Sequence, residues 1–262
     1  MTVITVFALK IIAVLTMLVD HTASMLNRSD LLSPDVYMLM RGIGRMAFPL
    51  FAFMVAEGIV HTKSVVKYFR NMAVFCFVSQ LCYWLYSYNV KTNHVGWLSL
   101  NIFFTLALAV WIVFFAQLAI HNFGGRPPRE EVAVLARKYP LLRSRIFSLC
   151  MLAPLVCAPR CMYGLPGVLL IIALYFVRHL ARQNQYICRL AAVLIIAAWA
   201  FYQYKPYIPT TRNLLQFGFV MLTCICIAAY NGRKGRSMKY AFYAFYPAHL
   251  AALGLINIII AG

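Results

Sequence analysis

The chain has 262 residues, 63% of them hydrophobic and 11% charged, with a mean hydropathy of +0.78. A soluble domain carries about 25% charged residues, so this composition excludes one and predicts an all-α, polytopic membrane bundle rather than the alternating pattern of a membrane barrel. The net charge of +18 would suggest nucleic acid in a soluble protein; here the bases fall in short loops between apolar runs, where they report topology, and no nucleic-acid role is expected.

Nine spans are expected, at 5–26, 38–60, 70–88, 97–120, 145–158, 164–181, 186–204, 212–230 and 240–261. The longest polar stretch, 121–145, is too short for a separate soluble domain, so 1–262 reads as a single membrane domain. Span one has no basic leader and no small-residue cleavage site before it, and reads as a retained helix. It carries Lys10, Asp20 and His21. Span two carries Arg41, Arg45, Pro49 and Glu57, and span four opens on Asn101. The loop that follows is long and basic, is broken by Gly124-Gly125, and matches no phosphate-binding glycine motif. Span five is the shortest. Tyr163 stands at the start of span six, and Pro247 and His249 lie inside span nine. Pro49 and Pro247 are expected to kink their helices.

Loop charge sets the orientation. Sixteen of the 24 Lys and Arg residues fall in the loops two-to-three, four-to-five, six-to-seven and eight-to-nine; five fall on the opposite side, and Lys10, Arg41 and Arg45 lie within spans. The positive-inside bias then places the N-terminus in the cytoplasm. Aromatic clusters near Tyr83 to Trp97 and Trp199 to Tyr207 fit an outer interfacial belt. The eight cysteines form no zinc pattern and no metal site is expected. Cys157 and Cys161 flank an outer loop, where a disulfide is one reading.

Orientation converts sequence position into depth. At about 1.5 Å per residue, Asp20 and His21 lie roughly 8 Å below the outer face. Arg41 and Arg45, four residues apart on one helix face, lie at a similar depth, with Asn101 and Tyr163 in the same layer. His249 lies near mid-membrane, and Lys10 and Glu57 toward the cytoplasm. Ionisable groups at such depth are rare unless paired or functional. Asp20 with Arg41 or Arg45 reads equally as a buried ion pair. His21 and His249 read equally as satisfied core histidines, Asn101 as a packing residue, Tyr163 as an interfacial anchor, and Glu57 as the partner of Lys10 or of a loop base.

Leu9-Lys10 with Val19-Asp20-His21, then Gly44-Arg45-Met46-Ala47-Phe48-Pro49-Leu50-Phe51, then Asn101-Ile102-Phe103-Phe104-Thr105, Tyr163-Gly164, and Phe245-Tyr246-Pro247-Ala248-His249 resemble the TraX family in order and spacing over about residues 7–258. That family is named for a conjugative pilin N-acetylase and is distantly similar to larger membrane acyltransferases that use an acyl-CoA donor. The resemblance implies an acetyltransferase of the bacterial inner membrane, with acetyl-CoA as donor and the N-terminal amine of a pilin subunit as acceptor, surrounded by membrane lipid. Position and resemblance together make His21 the expected base and His249 the second choice, with Asp20 holding charge balance. Arg45 is expected at the oxyanion, and Arg41, Asn101, Tyr163 and Glu57 near the substrate. A polar cavity between spans one, two and nine is expected to open to the cytoplasm, with Lys10 along its path and Lys63, Lys67 or Arg233 against the CoA diphosphate. The alternatives are a transporter or flippase, in which the same polar residues line a pathway, and a non-catalytic pilus assembly factor.

Overall fold

The first helix, α1 (Val6–Arg28), forms on the apolar run of span one. Thr5 caps it by accepting from the Ala8 amide, and the carbonyls of Arg233 and Lys234 take the amides of Val6 and Phe7. The orphan donors of its first turn are thus matched by the loop that precedes the last helix. The structure, a computed structural model, describes residues 3–88, 99–125, 129–181, 184–236 and 238–261.

Span two is two helices, α2 (Pro34–Gly44) and α3 (Ala47–His61), separated by a tight turn at Arg45 and Met46 whose amides bond to Gly42 and Ile43. Pro49 is the cause. It has no amide to give the Arg45 carbonyl, and its ring crowds that carbonyl, so the break falls one turn before the proline. α4 (Val65–Ser87) starts on the Ser64 cap, and α5 (Ile102–Asn122) on Asn101. The basic loop folds as a short helix, α6 (Glu130–Lys138). Then come α7 (Arg145–Cys150), α8 (Gly164–Leu180), α9 (Gln185–Tyr204), α10 (Thr211–Ala228) and α11 (Lys239–Ala261). Extended pairing among the described residues is confined to two isolated bridges, Ile4 with Tyr230 and Leu100 with Cys161.

The protein is an all-α helix bundle, and its described residues hold six helices long and apolar enough to cross a membrane: α1, α2–α3 taken together, α5, α9, α10 and α11. The count of nine is not reproduced. α8 is shorter at 17 residues, and α4 is long enough but carries Lys67, Arg70 and many polar and aromatic residues. Span five is not a helical span. Its helix has six residues, about 9 Å of rise, and continues as a 3-10 helix through Pro154 and Pro159. The segment nevertheless runs the length of α5 in the opposite direction. Asn122 donates to the Leu142 carbonyl (2.8 Å), Trp111 to that of Met151 (2.7 Å) and Thr105 to that of Met162 (2.6 Å), and the Leu100 amide meets the Arg160 carbonyl. Irregular backbone at this depth is tolerable because protein groups, rather than lipid, satisfy it. The chain therefore reaches the far end of the bundle before α8, and the loops keep the alternation that their charges suggested.

α3 sits at the centre. Eleven of its fifteen residues are buried, and it packs on α1, α5, α8 and α10. The outer faces of the bundle are apolar: Phe77 is 69% exposed and Ile259 79%. Such faces suit hydrocarbon rather than water. One end, formed by the start of α1, the α3–α4 turn and the 229–236 loop, carries most of the basic loops and is called the basic end below.

Candidate functional site

Asp20 lies between two guanidiniums. Arg41 Nη1 donates to Oδ2 at 2.7 Å and Arg45 Nη2 to Oδ1 at 2.6 Å. Arg45 is held further by donating from Nε to the Arg41 carbonyl (3.1 Å). The break between α2 and α3 places Arg45 here, and Gly44 makes the close approach of α1 feasible, because a Cβ at that position would collide with the Asp20 carboxylate. The phenols of Tyr163 and Tyr204 flank Arg45. Tyr163 precedes α8 in the left-handed region (φ +64°) and is followed by Gly164 at +56°. An aromatic residue there is strained by about 1–3 kcal/mol, and stacking of its ring on Phe48 at 3.9 Å helps to hold it.

On the next residue of α1, turned about 100° from Asp20, the two histidines expected to act separately meet. His21 Nδ1 lies 2.7 Å from His249 Nε2, and His249 Nδ1 lies 2.8 Å from the Phe245 carbonyl. A carbonyl only accepts, so His249 carries its proton on Nδ1, and its Nε2 is an acceptor when the ring is neutral. His21 must then donate from Nδ1, which leaves the lone pair of a neutral His21 on Nε2. Tyr86 closes this site from α4, donating its hydroxyl to the His21 carbonyl at 3.0 Å, and the Arg28 guanidinium lies over the Tyr86 ring. Both histidines are buried, at 8% and 7% exposure.

A cavity of about 510 Å³ opens at the basic end and runs inward between α1, α3, α4, α5 and α11. Lys10, Lys234 and Arg236 line its mouth; Met17, Phe103 and Tyr246 line its deep part. Its walls are apolar and aromatic, contrary to the expectation of a polar cavity, because the Met, Phe and Tyr side chains of α3, α5 and α11 face it. Met17 is one turn below His21 on the same face of α1. Tyr246 packs on both imidazoles, 6.2 Å from the His21 ring and 5.5 Å from that of His249. The histidine pair therefore stands directly behind the end of the cavity, about 16 Å above Lys10 along α1.

The other expected residues divide clearly. Asn101 is committed to the fold: it is fully buried, its Oδ1 caps the Phe103 amide, and its Nδ2 donates to Cys76 and Gln80. Glu57 lines the cavity but is committed to Arg178 (2.5 Å) and His61 (3.2 Å), not to Lys10. The Tyr230 hydroxyl adds a third contact at 3.5 Å; burial first, and Glu57 second, push its pKa well above the ordinary value and keep it a donor. Lys10 lines the cavity, with its ammonium 5.2 Å from the Phe242 ring. Lys63, Lys67 and Arg233 do not line it; the turn at Gly235 (φ +69°) brings Lys234 and Arg236 there instead. Cys157 and Cys161 are free thiols. Sequence reading missed Tyr246, Tyr86, Tyr204, Lys234 and Arg236. Tyr246 could have been found from its place three residues before His249 on one helix face; the others depend on packing.

A family model described as TraX protein matches residues 6–257, nearly the whole chain. The chain belongs to the TraX family. Among curated proteins this TraX member is 28% identical over 251 residues to the "Probable fimbrial assembly protein FimC, serogroup H1" of Dichelobacter nodosus, covering 94% of this chain and 93% of that protein. No solved structure matches it. The matched region contains Asp20, Arg41, Arg45, the histidine pair and every residue named above as lining the cavity.

Proposed function

We propose that this TraX protein is an acetyltransferase of the bacterial inner membrane, with its basic end in the cytoplasm, that transfers acetyl from acetyl-CoA to the N-terminal amine of a pilin subunit. The observation that carries this reading is the His21–His249 pair, with an unprotonated Nε2, set behind the closed end of a cavity that opens among basic residues. Lys10, Lys234 and Arg236 suit the phosphates of CoA, and the apolar walls suit its narrow arm. Glu57, the acidic residue on the wall, is offset by Arg178 and His61. Acetyl-CoA supplies an activated acyl thioester. The chain supplies the rest. His21 Nε2 takes a proton from the acceptor nitrogen as it bonds to the acyl carbon. Nδ1–H of His21 can pass its proton to His249 Nε2 while the Phe245 carbonyl steadies the far nitrogen, so the positive charge spreads over two rings. The proton returns to the departing thiolate, giving amide and thiol. Arg45 and the Tyr163 phenol offer donors to the oxyanion.

The test is the mass of mature pilin from cells with and without the gene; a loss of one acetyl group from the N-terminus is expected. The name of the Dichelobacter relative favours a second reading, a pilus assembly factor without catalysis. That factor would leave the pilin mass unchanged and would tolerate His21→Ala.

A further inference from the structure

Two buried groups on α9 are poorly matched among the described residues. Trp199 and Tyr204 are each 7% exposed, and among the described residues neither the Trp199 Nε1–H nor the Tyr204 hydroxyl makes a well-formed hydrogen bond. The Tyr204 hydroxyl faces that of Tyr163 without the geometry of a full hydrogen bond. Buried donors are ordinarily matched, so a pair left open is a sign of something that arrives from outside. They sit in one cluster. The Trp199 ring is 5.4 Å from Phe48, 5.8 Å from Tyr163 and 5.8 Å from Tyr204, and the phenols of Tyr163 and Tyr204 flank Arg45. Arg45 uses Nε on the Arg41 carbonyl and Nη2 on Asp20; among the described residues its Nη1 bonds to nothing. The side chain of Arg45 is 14% exposed and that of Arg41 24%, so the arginine side of the cluster reaches the surface.

The chemistry of the set is one-sided. Indole and guanidinium only donate, and the phenol is free to donate. Asp20 offsets only one of its two arginine partners, which leaves the neighbourhood positive. A cation is the wrong occupant, and an oxygen with lone pairs beside an apolar ring wall is the right one. Resting on the acetyltransferase reading, we infer that Trp199 and Tyr204 form the acceptor subsite and grip the carbonyl adjoining the reactive amine, with Arg45 Nη1 beside them left to the oxyanion. In a chain terminus that carbonyl is two bonds from the nitrogen, so holding it places the amine; in a lysine side chain it is several bonds further away. The subsite selects an α-amine of a peptide over a side-chain amine or a plain alkylamine.

The test uses the full-length protein in lipid nanodiscs, with a short peptide bearing a free N-terminus, an alkylamine of matching length, and acetyl-CoA. Peptide binding is measured first without the acyl donor. Trp199→Phe and Tyr204→Phe, which keep the ring packing, should each weaken it about tenfold, with acetyl-CoA binding unchanged as the check on folding. In turnover the peptide KM should rise by the same factor with kcat retained. The wild type should discriminate against the alkylamine, and the double variant should lose most of that preference. Unchanged peptide affinity in both variants overturns the subsite. So does a parallel fall in peptide acetylation and acetyl-CoA hydrolysis, since the donors would then serve the oxyanion. Wild-type protein that binds the peptide through these residues but never acetylates it would refute the acetyltransferase reading and leave the subsite standing.

Discussion

Replacing His249 by leucine tests the site at its least redundant point. The variant keeps the side-chain bulk but removes the acceptor for His21 Nδ1–H, a bond of 2.7 Å in a site where His21 is 8% exposed. A buried donor left unmatched costs about 1–3 kcal/mol. The cost is felt at the reacting ring, because nothing then holds Nδ1–H in place or keeps the lone pair on Nε2, and the imidazolium formed on proton uptake loses its partner. Converted to rate, the loss is about 5- to 150-fold in kcat. His21→Ala removes the base itself and should cost about 10²- to 10⁴-fold. His249→Gln, whose carbonyl can still accept, should fall between wild type and leucine. The assay is initial-rate acetylation of an N-terminal pilin peptide by purified protein, with acetyl-CoA affinity as the check on folding. A His249→Leu enzyme with wild-type kcat would refute the relay and reduce the pair to packing.

Four further outcomes are expected. Asp20→Asn leaves Arg41 and Arg45 without their carboxylate and should destabilise the protein by about 3–5 kcal/mol, read as thermal unfolding in detergent; Gly44→Ala should act in the same direction by displacing Asp20. Lys10→Glu and Lys234→Glu, at the cavity mouth, should raise the KM for acetyl-CoA with little change in kcat, and an unchanged KM would place the phosphates elsewhere. Arg129 donates to the carbonyls of Ile59, Val60 and Thr62 at the end of α3, so Arg129→Ala should speed hydrogen exchange across 59–65. Single cysteines at 67, 137 and 236 should be shielded from an impermeant reagent outside the cell and one at 205 reached by it; the reverse would invert the orientation.

Much of the fold was legible in the sequence, because bilayer-length apolar runs admit few structures and short basic loops carry the sign of their side. That Asp20, His21, Arg41, Arg45 and His249 would be partnered rather than lone was legible too, since charges and imidazoles inside apolar runs are costly unpaired. What the sequence could not contain was which of them touch. Adjacent residues on a helix point about 100° apart, so Asp20 turns to the arginines of α2 while His21 turns to a histidine 228 residues later in the chain. Only the packing of α11 beside α1 and α4 could pair them, and only that pairing sets the tautomer. The reading of span five failed for a related reason. Its hydropathy sufficed, but two prolines deny it a helix, and the donors that make an irregular crossing stable lie on the face of α5. Asn101 and Glu57 show the same limit from the other side: a polar residue in an apolar run announces that it has a partner, and tertiary structure alone decides whether the partner is the fold or the substrate.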